Sequence, residues 1–236
     1  MGCHPKRGTQ AFESLALLQQ LQGVLVHDGW MPYKALRCQH ALCNAHHLRE
    51  LAYLLEEQNQ AWAGDMIELL KHAHHLDNLN CADGKTPNYA AQKYQNEVRY
   101  LRYLRYLRDL RDLRDLYEAI LAQAQLDHPI APCTGKRGRP KQSKAADLMG
   151  QLRDYSDDVW RFMTQADVPF TNNLAQQTVR MPKLKQKVSG GFRTPQAAQT
   201  YCVIRSYAAT MHKQGANIFE ALVAAFKGTP PQPGFG

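Results

Sequence analysis

Apolar positions between residues 10 and 22 recur at helical spacing, and Gly23 separates them from the short apolar run Val24-Leu25-Val26. The pattern predicts a helix followed by a strand. His27-Asp28-Gly29 closes that strand, which puts Asp28 where a sheet delivers side chains to a crevice at its C-terminal edge. A second short strand is expected around Ala41-Leu42-Cys43. From Asn44 to about Gln125 the spacing is helical almost throughout, interrupted by the loop from Cys81 to Pro87.

Inside that helical block residues 99 to 116 repeat every three, as Arg-Tyr-Leu and then Arg-Asp-Leu, with leucines at 101, 104, 107, 110, 113 and 116. Each three-residue step turns roughly 300° around a helix, so successive leucines drift by about 60° and wrap the cylinder. A long solvated helix is expected, and the seven-residue period of a coiled coil is absent. Arg105 with Asp109, Arg108 with Asp112 and Arg111 with Asp115 stand as i,i+4 pairs in the less favourable orientation. Residues 127 to 141 are rich in Pro, Gly and cations and read as a linker. Helical spacing resumes from Ser143 to Gln165. Val168 to Asn173 then offers a polar cap to a short helix carrying Leu174, Ala175, Val179 and Met181, with Pro182 and Ser189-Gly190-Gly191 expected to break it. Helices over about 195 to 213 and 217 to 227 precede a Gly/Pro tail.

With 236 residues, 44% of them apolar, the chain can bury a core, and no apolar run approaches the ~20 residues of a membrane helix. Met1-Gly2-Cys3 has Lys6 where myristoylation wants Ser or Thr, and no leader core follows, so the cytoplasm is expected. A net charge of +8 favours a polyanionic partner, because each phosphate neutralised releases a counterion. The six cysteines follow no regular framework and are expected to be reduced. Cys38, Cys43, His46 and His47 have the ligand types of a zinc site, but their spacing fits no paired knuckle, and buried thiols with packed imidazoles are the favoured reading. His72, His74 and His75 are assigned no role.

The segments His4 to Gly8, Leu25 to Trp30, His40 to Leu51, Gly135 to Lys141, Asn172 to Gln176, Arg180 to Arg193, Ile204 to Tyr207 and Lys213 to Gly215 together resemble, in order, insertion-sequence family sixty-six transposases. The resemblance implies an α/β, mostly helical fold: a truncated RNase-H-like (retroviral-integrase-like) core with a large all-helical insertion. It implies a partial core over 1–44, the insertion over 45–126, a basic linker over 127–142, a helical return to the core over 143–228 and a tail over 229–236. It also implies metal-dependent DNA strand transfer of the DDE type, in which three acidic residues hold two Mg²⁺ or Mn²⁺ ions.

Carried over by position, the family's second acidic residue falls on Asp28, the expected catalytic and metal-binding residue. The third falls on Gln176, an amide where the family has Glu. The first is expected upstream of Met1. With one carboxylate of three, the chain is expected to bind DNA without cutting it, and Asp28 could hold a single ion weakly. Lys136, Arg137, Arg139 and Lys141 also resemble an AT-hook, whose Arg-Gly-Arg-Pro core lies in a narrow A·T minor groove. Arg180, Lys183, Lys185, Lys187 and Arg193 form a second basic cluster suited to phosphate. The implied partners are element ends and other transposase copies, in the nucleoid of a bacterial cell. A transposase-derived regulatory protein and a decayed reading frame stand as the alternatives.

Overall fold

The computed structural model describes residues 9–14, 21–82, 93–129 and 142–232. The loop 83–87, the linker residues 130–141 and residues 15–20 of the first predicted helix lie outside the described residues. A helix α1 spans Thr9–Ser14. Strand β1, Val24–His27, pairs in parallel with β2, Gln39–Leu42, with Val24 opposite Gln39 and His27 opposite Leu42. A 3₁₀ turn over Met31–Ala35 carries the short crossover between them. The second strand thus begins two residues earlier than its apolar run suggests, and Cys43 instead caps the helix that follows.

The chain is otherwise mostly helical: α2 Asn44–Gln58, α3 Ala61–Ala82, α4 Lys93–Asp127, α5 Lys144–Asp154, α6 Ser156–Thr164, α7 Asn173–Ser189, α8 Pro195–Lys213 and α9 Ile218–Phe226. The predicted continuous helix after Asn44 is divided at Asn59. That residue takes a left-handed conformation (φ 51°) and donates its N–H back to Leu54, a role Asn fills more readily than most residues. Tyr155, at φ −119° and so without a left-handed turn, divides the 143–165 stretch.

Two compact units can be distinguished, residues 22–172 and residues 1–21 with 173–236. In the first, α2, α3, α4, α5 and α6 enclose one apolar core that includes Leu51, Leu54, Met66, Leu70, Tyr117, Leu152, Val159 and Trp160. Its centre is aromatic. Tyr117 meets Trp160 edge-on at 5.5 Å, Phe162 meets Phe170 at 4.8 Å, and His74 stacks on Phe170 at 4.2 Å. The Tyr117 hydroxyl donates to the Leu152 carbonyl at 2.9 Å, so its one polar atom is satisfied in the interior. Asn44, fully buried, donates to the Val159 carbonyl at 3.0 Å and accepts from His47 Nδ1 at 3.2 Å, which ties the start of α2 to α6.

The triplet repeat lies on the 35-residue α4. Leu113 is buried and Leu110 packs against the core, whereas Leu107 and Leu116 face solvent. That is the drift expected of a three-residue period. Arg108 and Arg111 approach the next residue, Asp109 and Asp112, at 3.8 and 3.7 Å, and not the expected i+4 carboxylates. Arg114 reaches Asp157 at 3.0 Å.

In the second unit α8 packs on α9. Thr194 and Asn217 cap these helices through bonds from Ala197 N–H and Phe219 N–H. The helix α7 is longer than predicted: it continues through Pro182 and ends at Ser189. Proline there removes one intrahelical bond, the one to the Thr178 carbonyl, and both Thr178 and Pro182 are half-buried in an otherwise exposed helix. Gly190 and Gly191, at φ 68° and 113°, stop it as expected. Among the described residues no helix is long and apolar enough to cross a membrane.

Candidate functional site

Because β1 and β2 run parallel, their C-terminal ends lie at the same edge of the pair, and α2 starts there too. The ladder continues past the strands through Cys43 N–H to the His27 carbonyl at 2.8 Å. Asp28 follows directly. Its Oδ1 accepts the Trp30 N–H at 3.2 Å, closing an Asx turn, and Gly29 takes φ 83°. A side chain at Gly29 would meet strain from that φ, and its Cβ would lie 2.3 Å from the Gln151 amide nitrogen.

Next to this turn the imidazoles of His27 and His40 meet at 3.2 Å, Nε2 to Nδ1. His27 Nδ1 accepts the Gly29 N–H at 3.0 Å, and His40 Nε2 lies 3.2 Å from the Leu36 carbonyl. Burial, followed by the neighbouring Lys34 charge, pushes the His27 pKa down to about 4. Burial likewise lowers His46, on the first turn of α2, with Arg49 adding to the shift and the Asp28 charge opposing it. Tyr33 is raised by burial and then by the same carboxylate. The Asp28 charge thus bears on His27, Tyr33 and His46.

A charged brace supports the edge from behind. Lys34 pairs with Asp158 and lies 3.8 Å from the Tyr155 ring centre. Asp158 also binds Arg161 at 3.1 Å, and Arg161 Nε donates to the His40 carbonyl. Spacing along the chain does not reveal this brace, because its two halves, Lys34 with His40 and Asp158 with Arg161, are distant in sequence. A cavity of about 420 Å³ between α2 and α5, lined by Arg49, Glu50, Tyr53, Lys144, Asp147 and Gln151 among others, was likewise not foreseen.

Among the described residues no group of three or more His, Cys, Asp or Glu side chains is placed to hold a metal ion. Cys43 is buried and its sulfur accepts the Asn172 N–H at 3.2 Å, while Cys38 is half-buried. His47 is buried, with its pKa pushed down to about 4 by desolvation and then by His46. His74 is packed against Phe170.

Gln176 sits on α7, in the other compact unit from Asp28. Gln176, Arg180, Lys183 and Lys187 occupy positions i, i+4, i+7 and i+11, hence one line along the helix, and all four are exposed. The helix carries no acidic residue. Lys185 projects from another side, near the exposed apolar residues Leu174, Met181 and Val188. Arg193, exposed, follows the Gly190-Gly191 stop. Lys136, Arg137, Arg139 and Lys141 lie outside the described residues.

Fold and site together define a mostly helical α/β protein with an acid at a parallel strand end and an acid-free cationic helix. The chain belongs to the transposase IS66 family, whose model matches residues 2–200. Its function is accordingly related to transposition. No curated protein and no solved structure matches the chain.

Proposed function

We propose that this chain is a DNA-binding member of its family that occupies DNA without cutting or joining it. The observation that carries the reading is α7: a solvent-exposed helix with Arg180, Lys183 and Lys187 on the line of Gln176, and no acid to compete with phosphate. Cations spaced along one helix face suit the regular phosphates of a duplex, and each contact formed releases a counterion. The basic segment with Lys136, Arg137, Arg139 and Lys141 would add a groove contact, its arginines favoured by the negative potential of a narrow A·T minor groove.

On this reading β1 and β2 belong to an RNase-H-like sheet, and Asp28 and Gln176 occupy the positions of two of the family's acidic residues. In complete members Mg²⁺ or Mn²⁺ would clamp the attacking and leaving oxygens of a phosphoryl transfer. The donors here do not fit a pair of such ions. Asp28 supplies one carboxylate, with one oxygen already accepting the Trp30 N–H, and its neighbours His27 and His46 are nitrogen donors that hard cations disfavour. Gln176 offers a neutral amide oxygen. DNA, and other copies of the transposase, are the partners this reading implies, within the nucleoid of a bacterial cell.

Incubation with element-end DNA in Mg²⁺ or Mn²⁺, with Asp28→Ala as control, tests the non-cutting part. The expected result is binding with no nicked or joined product from either protein. Product formed by the chain and lost in Asp28→Ala would overturn it.

A further inference from the structure

We propose that His27 and His40 are positioning residues, a two-imidazole chain that holds the Asp28-Gly29 turn in one conformation at the edge of the strand pair. The proposal deepens the reading of Asp28 as the candidate site carboxylate, but its test requires neither DNA nor a metal.

The hydrogen bonds determine where every proton sits. A backbone N–H can only donate, so His27 Nδ1, which accepts from Gly29 at 3.0 Å, carries no proton. The proton of neutral His27 is then on Nε2, pointing at His40 Nδ1, 3.2 Å away. That nitrogen must be bare, which puts the His40 proton on Nε2, where the Leu36 carbonyl accepts it at 3.2 Å. Three bonds in series thus run from the turn through both rings to the main chain before β2, and they close only when both rings are neutral. The strand register produces the pairing. Leu25 is opposite His40 and His27 opposite Leu42, so residues 27 and 40 are diagonal neighbours on one face of the pair.

Each ring is fixed by more than its partner. His27 is buried and packs on Tyr33 at 5.1 Å between ring centres, and the His40 carbonyl is held by Arg161. The turn needs such support. Gly29 is in the left-handed region, and if its N–H lost its acceptor the turn would keep the bond from Trp30 N–H to the Asp28 carboxylate but lose the one at Gly29 itself. Removing the acceptor at His40 acts through His27. Either the Nε2 proton of His27 stays buried without a partner, or it moves to Nδ1 and meets the Gly29 N–H head-on. Both weaken the turn.

The test is nitrogen-15 NMR of the full chain, reading the tautomers of the two rings and hydrogen exchange at the Gly29 amide. The expected spectrum has Nδ1 bare and Nε2 protonated in both. His27→Phe and His40→Leu should speed Gly29 exchange roughly five- to tenfold, the worth of one hydrogen bond. His40→Asn, whose carbonyl can stand near the place of Nδ1, should restore exchange to near the parent rate although it fills the site less well than Leu. A proton on His27 Nδ1, or Gly29 exchange that follows side-chain volume and not the presence of an acceptor, would overturn the proposal.

Discussion

His47 is held uncharged in the interior of the larger unit, donating to Asn44, and its pKa is pushed down to about 4 by burial. In the unfolded chain the same imidazole protonates near 6.5. Between these values the unfolded state binds more protons than the native one, so this group's contribution falls as pH drops from about 6.5 and levels off below about 4. A drop on the order of 3 kcal/mol is expected if the shift is fully expressed. Replacing His47 with Asn, which can still donate to Asn44, should therefore cost stability at pH 7 and progressively less towards pH 4. Denaturant midpoints measured across that range check it, and parallel profiles for the two proteins would contradict it. At this scale the sequence reading went only part of the way. Buried thiols and packed imidazoles were expected at Cys38, Cys43, His46 and His47: Cys43 and His47 are buried, whereas Cys38 and His46 are half-buried. The bond between His27 and His40 was not legible, because it depends on the strand register, and nothing in the spacing of 27 and 40 reveals that register.

At the scale of elements the leucine repeat makes a quantitative contrast. Leu113 is buried against the core and Leu116, one repeat later, is about half exposed. Leu113→Ala should cost about 2–4 kcal/mol, the price of a core cavity. Leu116→Ala should fall within about 0.5 kcal/mol of neutral. Urea denaturation of both variants decides between this arrangement and a helix gripped along every leucine, for which the two costs would be alike. The existence and type of the described elements were largely readable from periodicity, including β1, β2 and the paired C-terminal helices. The breaks were harder to read. Asn59 interrupts a pattern that is amphipathic on both sides, and its left-handed cap becomes visible only as geometry. Pro182 misled in the opposite direction: a proline inside a helix removes one bond and can kink it, but the helix need not end there.

For the whole molecule, Asp28 and Gln176 belong to different compact units, and their joint role is part of the proposal alone. The strand-end position of Asp28 followed from a short apolar run and a turn pair. The cationic line on α7 could have been drawn from spacing alone, had the helix been carried through Pro182. The linker makes a separate contribution to the DNA reading. Replacing Arg137 and Arg139 with Ala should weaken binding to an A·T-rich duplex more than to a G·C-rich one, because only the narrow groove favours an inserted guanidinium. Equal losses in a competition assay would assign the linker a plain charge role.

The salt dependence of duplex affinity, measured by fluorescence anisotropy for the chain and for a variant with Arg180, Lys183 and Lys187 all changed to Ala, tests the central claim most directly. If the three side chains neutralise phosphates, the slope of log affinity against log salt should become shallower by roughly 2 to 3, about 0.9 for each lost contact, with similar weakening on unrelated sequences. An unchanged slope, with the variant as well folded as the parent, would contradict the account.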